Sequence, residues 1–403
     1  MAAGAGTLIS KKSKKVSSVE FWRFIFTVLV CLYHLELYFT RGKLFPSGTS
    51  AVEFFFILAG FLTAMSADHR LRGYEGEVST KEAAAAAVSF VSKKLKAIYP
   101  LLIVALIINY AIPSPFAFSF GGKVSQLGPI MNSEWDLLLL VGTPFGFNNG
   151  MAPIVPLWFL TVLLIVGYLY TFALHRKYEL TVFLSPVMGI LFMSYFGLKS
   201  NLILDFNVQM GFVTAGMIRG IGEMSLGVAL YSLYNRLSQK RLGLVWTIIL
   251  TLLQLYAIYR FFTLTINQQV SLDNFRRIVY IMIIILLSFL NKDVLSRLFN
   301  NPVSRWLGSI SLAMYLCHYP LVDLYFLLLN KAKARFHSGA ISKFLSDMGG
   351  YRGFNPIPMS WKDRLFYMLI VIVCSAAIVI IIGLVNKLIK RLRAKKKRQL
   401  IMA

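Results

Sequence analysis

Ten apolar stretches of about 20 residues each, the helix length that crosses a hydrocarbon core, fill most of this 403-residue chain. They run over roughly 19–39, 50–67, 95–112, 154–174, 180–197, 210–234, 243–262, 276–290, 306–329 and 365–386. In hydrocarbon each backbone N–H and C=O must find its partner inside the segment, so such stretches fold as helices. The expected fold class is therefore all-α, a polytopic membrane protein with about ten transmembrane helices. Composition agrees: 57% of residues are hydrophobic and 15% are charged, where a soluble domain carries about 25% charged residues. The piece at 135–143 is too short to cross and reads as re-entrant or interfacial. The first stretch is too long for a signal-peptide core and has no small-residue cleavage site, so it should stay as an anchor. No soluble domain, internal repeat or low-complexity linker is visible.

The net charge of +25 is unevenly placed. Lys11, Lys12, Lys14 and Lys15 precede the first stretch, and Lys387, Lys390, Arg391, Arg393, Lys395, Lys396, Lys397 and Arg398 follow the last. Flanking apolar spans, these runs mark cytoplasmic ends resting on anionic lipid and not a nucleic-acid surface. The expected division is a basic cytoplasmic N-terminal tail (1–18), a transmembrane domain (19–388) and a polybasic cytoplasmic C-terminal tail (389–403). Ten spans put both termini on one side. Loops expected in the cytoplasm carry Arg70, Arg72, Lys93, Lys94, Lys96, His175, Arg176, Lys177, Arg236, Lys240 and Arg241, whereas 113–153, expected outside, holds only Lys123. The 330–364 loop dissents, with seven cations on the expected outer side. Cys31, Cys317 and Cys374 all fall in apolar stretches, which predicts free thiols.

A cation and a titratable base stand out in the first span. Arg23 and His34 are eleven positions apart, so they share a helix face and lie roughly 16 Å apart along the axis. A charged side chain in a membrane helix costs on the order of 2.5–3.5 kcal/mol on insertion scales, and each needs a compensating reason. A cation near one end and a titratable base deep inside suit a substrate whose charged end stays in water while its reactive end reaches inward. His34 reads either as a packed histidine or as a general base for a hydroxyl. Arg23 reads either as an interfacial anchor or, with Lys93, Lys94 and Lys96 at the head of the third span, as a phosphate clamp.

Other polar residues fall within spans. Glu53 in the second lies at the outer interface or orients a catalytic group. Arg219 and Glu223 in the sixth are i and i+4 and should pair, with Glu223 a second carboxylate candidate. His318 in the ninth lies at a depth similar to His34, so the two can line one cavity. Trp158 and Tyr315 are candidates to shape an acyl or sugar site, or simply core. No metal-ligating cluster is expected.

Taken in order, these segments resemble the acyltransferase 3 family of integral membrane acyltransferases. Arg23 and His34 match its Arg-x10-His motif, and EFFFILAGF is similar to FFF-x-x-SGF, with Ala59 in place of serine. KKLKAIYP is similar to RRxxRixP with lysines for arginines, PLWFLTVLLIVGY to the tryptophan segment, IRGIGEMSLGV to the Arg/Glu span, and GSISLAMYLCHYPL to the late G-x-x-S-x-x-x-Y-L-x-H segment. The resemblance implies transfer of an acyl group, usually acetyl from acetyl-CoA, to a hydroxyl of a carbohydrate or other cell-envelope acceptor, in the plasma (inner) membrane. It implies that His34 is catalytic and that Arg23 and the basic stretch hold the CoA phosphates, with no metal. No SGNH-type domain is expected after the tenth span. A transporter or flippase of an envelope precursor is the rival reading.

Overall fold

The computed structural model describes residues 16–39, 44–74, 76–111, 156–199, 208–267, 272–336 and 359–402. Among them are eleven α-helices: α1 (Ser17–Phe39), α2 (Ala51–Leu71), α3 (Thr80–Ala111), α4 (Leu157–Arg176), α5 (Tyr178–Lys199), α6 (Ala215–Ser238), α7 (Leu244–Asn267), α8 (Leu272–Leu290), α9 (Val294–Phe299), α10 (Pro302–Phe336) and α11 (Trp361–Met402). A 3-10 turn at Gly48–Ser50 leads into α2, and β1 (Gln209–Met210) pairs antiparallel with β2 (Val213–Thr214). All the helices but α9 are long, and each long one overlaps one of the ten apolar stretches. Six of them, α1, α2, α4, α5, α7 and α11, lie in segments long and apolar enough to cross a membrane by length and composition. The chain is an all-α, multi-pass membrane protein. The 113–153 loop with its 135–143 piece, and most of the 330–364 loop, lie outside the described residues.

Two helices run past the expected spans, for local reasons. α3 starts at Thr80 and not near residue 95 because Ser79 and Glu82 form a capping box. The Ser79 backbone N–H donates to Glu82 (2.9 Å), and the Glu82 N–H donates to Ser79 Oγ (3.2 Å). Five alanines, Ala83–Ala87, then propagate the helix. Ser360 and Asp363 form the same reciprocal cap on α11 (2.8 and 3.2 Å). α11 then continues through the basic residues 389–402, which are good helix formers with no Gly or Pro among them. At 42 residues it spans roughly 63 Å, about twice a hydrocarbon core of about 30 Å.

Packing sorts these six helices into a buried set and an outward-facing set. The apolar windows of α1, α2 and α4 are 67%, 78% and 67% buried, whereas those of α5, α7 and α11 are 22% buried. Phe183 on α5, Tyr259 on α7 and Leu365 on α11 point away from the protein, as a lipid-facing surface requires. Two helix pairs run parallel. Ser17 meets Arg305, Glu20 lies against Gly308 and His34 meets His318, which sets α1 beside α10. Glu53 meets Arg219, Gly60 packs on Met224 and Asp68 accepts from Tyr231, which sets α2 beside α6. Without a hydrophobic drive inside lipid, close backbone approach is what holds helices together, and Gly60 and Gly227 supply it. A Cβ on Gly60 would stand 2.1 Å from the Met224 carbonyl oxygen, and one on Gly227 2.1 Å from that of Ile57. The cysteines are free, with Cys31 and Cys317 buried and Cys374 partly so.

Gly60→Ala therefore forces α2 and α6 apart and should destabilise the protein by about 1–3 kcal/mol, as overpacking does. Gly383→Ala, where nothing lies within 4 Å, should leave stability unchanged or raise it. Thermal unfolding in detergent, followed by loss of the monodisperse peak, separates the two.

Candidate active site

His34, seventeen residues past Ser17 at the start of α1, meets His318 on α10 in the bundle core. His318 Nε2 lies 3.1 Å from His34 Nδ1. The remaining contacts fix the protons. His34 Nδ1 is also 3.0 Å from the Val30 carbonyl, and His318 Nδ1 is 2.8 Å from that of Tyr315 and 3.2 Å from that of Met314. A carbonyl oxygen only accepts, so each Nδ1 must carry a hydrogen. His318 Nε2 is then the acceptor for His34 Nδ1–H, and His34 Nε2 keeps a lone pair with no partner among the described residues. His318 is fully buried, whereas His34 is half-buried and so reachable. Tyr33 and Tyr319 stand edge-on to the His34 ring at 5.2 and 5.9 Å. A base oriented by a second imidazole, with its outer nitrogen open, is the arrangement that proton removal from a hydroxyl needs.

α11 closes this region, through residues that sequence reasoning did not single out. Tyr367 Oη donates to the His318 carbonyl (3.0 Å), and Arg364 Nε donates to Glu36 (2.5 Å). Glu36 is fully buried two positions beyond His34. A carboxylate in an apolar span requires a cationic partner, and that requirement was the available signal; the partner's identity was not. Arg364 also lies over Trp361 at 5.2 Å. One of the dissenting cations of the 330–364 loop is thus an ion-pair partner.

Glu53, Arg219 and Glu223 gather in a second polar cluster. Arg219 Nη2 lies 3.5 Å from Glu53 and its Nε 3.5 Å from Glu223, with all three side chains no more than 1% exposed. Trp158 and Phe196 cover the guanidinium at 5.4 and 5.6 Å, a cation–π enclosure. Arg277, which the sequence reading passed over, is fully buried and donates to Ser47 Oγ and the Leu264 carbonyl, both at 3.1 Å, within electrostatic reach of Glu53. Trp158 thus belongs with Arg219. Tyr315 donates its hydroxyl to the Pro156 carbonyl (2.7 Å), and its ring centre is 6.0 Å from that of His318.

The cationic end lies toward the C-terminal halves of α2 and α4 and the N-terminal half of α3. Arg23 Nη1 bonds Glu20 at 2.8 Å and keeps 29% of its side chain exposed. Phe26 stacks on Phe54 at 4.2 Å, and Gly48 packs on Tyr33, so α1 and α2 are antiparallel and Arg23 is roughly level with Ala59. Ala59 lines a cavity of about 120 Å³ that also receives Lys93 and Lys94. Lys94 lies within electrostatic reach of Arg23 and sits over Phe90 at 5.5 Å. Lys96 is exposed and does not line the cavity.

A family model, that of the acyltransferase domain of the acyltransferase 3 family, matches residues 16–385. This chain belongs to that family. It is a membrane acyltransferase, and the matched region takes in both polar clusters, the cationic cavity and all ten long helices up to the basic end of α11. No curated protein and no solved structure matched significantly. For an acyltransferase the two clusters have different chemistry to offer. The histidine pair has an open nitrogen, while the Arg219 cluster has its charges turned on one another. Among the described residues no group of three or more His, Cys, Asp or Glu side chains is arranged to hold a metal ion.

Removing one partner of a buried ion pair leaves an uncompensated charge, at about 3–5 kcal/mol. Arg219→Gln strands two carboxylates and should abolish folded expression or lower thermal stability by about that much, while Arg219→Lys should recover part of it. Detergent-extracted yield and melting temperature provide the measure.

Proposed function

We propose that this acyltransferase moves an acetyl group from cytoplasmic acetyl-CoA to a hydroxyl of a carbohydrate or other cell-envelope acceptor. The observation that carries this reading is His34 Nε2, the open nitrogen of an imidazole pair whose other nitrogens are engaged. The acceptor hydroxyl gives its proton to His34 Nε2, and its oxygen attacks the thioester carbonyl. The tetrahedral intermediate collapses by breaking the C–S bond, and the leaving thiolate takes the proton back from His34. Ester and free CoA result, with no net proton change. The Val30 carbonyl and His318 Nε2 both accept from His34 Nδ1–H, which stabilises the imidazolium formed on the way.

The donor runs along α1. A CoA with its phosphates near Arg23, Lys93 and Lys94 extends its thioester toward His34, roughly 16 Å up the helix. Lys96 belongs to the same basic stretch, and its exposure suits an outer contact or a lipid headgroup. Glu53 and Glu223 act at a remove, through Arg219, on the α2–α6 frame beneath the site. Trp158 and Tyr315 support the aromatic wall around it. We read the protein as crossing a plasma (inner) membrane ten times, with both termini in the cytoplasm and the basic ends on anionic lipid. The parallel α1–α10 and α2–α6 pairs support this reading, since helices separated by an odd number of crossings run in the same direction.

His34→Ala should lower transfer by about 10²–10⁴ while the protein still inserts, migrates normally and binds acetyl-CoA. His318→Ala should lower kcat less, with little change in KM for donor or acceptor. Substantial transfer by the His34 variant, with His318 indispensable, would move the base to α10. Arg23→Ala should weaken donor binding about tenfold to a hundredfold, as loss of a charge-assisted phosphate contact does. Unchanged affinity in a donor-binding titration would leave Arg23 an interfacial anchor.

A further inference from the structure

The cavity reaches beyond the basic residues of the donor reading. Along α2 it extends from Ala59 to Arg70, roughly 16 Å toward the cytoplasm. At that outer end stand Arg70 and, on α4, His175, each within electrostatic reach of the other. Ser66 and Ser89 lie along the walls between the two ends. Gly167 packs on Phe90, which fixes the level of α4 against α3. Lys94 has its ammonium over that same Phe90 ring. His175, eight residues past Gly167, is therefore roughly 12 Å nearer the cytoplasm than the Lys94 ammonium. That interval is the reach of one nucleotide.

Two observations mark the outer end as a ligand site and not ordinary cytoplasmic charge. Neighbouring cations are neutralised: Arg72 pairs with Asp68, and Arg176 and Lys177 both pair with Glu77. Among the described residues Arg70, Lys93 and Lys94 have no carboxylate within salt-bridge distance. In addition, His175 is 8% exposed and spends Nδ1 on the Thr171 carbonyl (2.8 Å), which leaves its buried Nε2 without a partner. A buried imidazole nitrogen beside an uncompensated guanidinium and two hydroxyls recognises a phosphate.

We infer that Arg70 and His175 bind the phosphate of the donor's 3′-phosphorylated ribose, while Lys93 and Lys94 hold its pyrophosphate. The inference rests on the acetyl-CoA reading and adds to it a basis for selecting full CoA thioesters over donors lacking that phosphate. The guanidinium supplies two parallel N–H donors, and His175 Nε2 shares a proton with a phosphate oxygen or accepts from a ribose hydroxyl.

The test uses the full-length protein in detergent, with acetyl-CoA and acetyl-3′-dephospho-CoA as probes in equilibrium titrations. Wild type should bind acetyl-CoA about tenfold or more tightly than the dephospho compound. Arg70→Ala should lose most of that preference, through weaker binding of acetyl-CoA alone, and His175→Gln should lose part of it. Equal binding of both probes by wild type, or an undiminished preference in Arg70→Ala, overturns the inference and leaves the acetyl-CoA reading standing. Binding of neither probe fells both. A phosphate preference that disappears when phosphatidylglycerol is added, with the lipid bound in an Arg70-dependent way, assigns the pocket to a lipid headgroup and likewise overturns it.

Discussion

A polar side chain inside an apolar bundle must find its partner on another helix, and this requirement organises the molecule. Water is absent from a hydrocarbon core, so an unpaired charge there costs several kcal/mol. The chain answers by joining helices far apart in sequence through their polar residues. Glu53 on α2 meets Arg219 on α6, Glu36 on α1 meets Arg364 on α11, and His34 on α1 meets His318 on α10. Each of these contacts fixes a register as well as a neighbour, because a shift of one helical turn, about 5.4 Å, would break it.

The two parallel pairs divide the labour. α2 and α6 are held by glycine-mediated backbone approach and by the enclosed Arg219 cluster, whose charges are spent on one another. α1 and α10 also pack closely, at Gly308 on Glu20, but the imidazole pair between them leaves one nitrogen uncommitted among the described residues. A rigid frame and an unsaturated site are then neighbours across α1 and α2, where Phe26 stacks on Phe54 at 4.2 Å. That separation explains why carboxylates and histidines within one set of spans have different uses. Glu53 and Glu223 share one guanidinium, with a single 3.5 Å contact to each.

The resting cations follow the same logic in reverse. At this end of the bundle Arg72, Arg176 and Lys177 have carboxylates at hand, while Arg70, Lys93 and Lys94 line a cavity with no carboxylate in salt-bridge reach of them among the described residues. Repulsion among like charges is tolerable there because Arg70 and Lys93 are exposed to solvent, which screens them. Arg23 near that cationic end and the half-buried His34 stand roughly 16 Å apart along α1, the separation on which the proposed donor placement rests.

Much of this was legible in the sequence. Ten apolar stretches dictated ten long helices, because segment length and backbone satisfaction are local matters. The eleven-residue spacing placed Arg23 and His34 on one face, and the i,i+4 spacing paired Arg219 with Glu223, since both follow from helix geometry alone. Equal depth pointed from His34 to His318, yet only packing brought their rings to 3.1 Å and set which nitrogen is free. Tertiary structure alone chose Arg364 for Glu36, added Glu53 to Arg219, and gathered Arg70, His175 and Lys94 around one cavity. Those pairings cross as many as 328 positions of sequence. Periodicity tells a residue which face it occupies, but only the assembled bundle decides what that face meets.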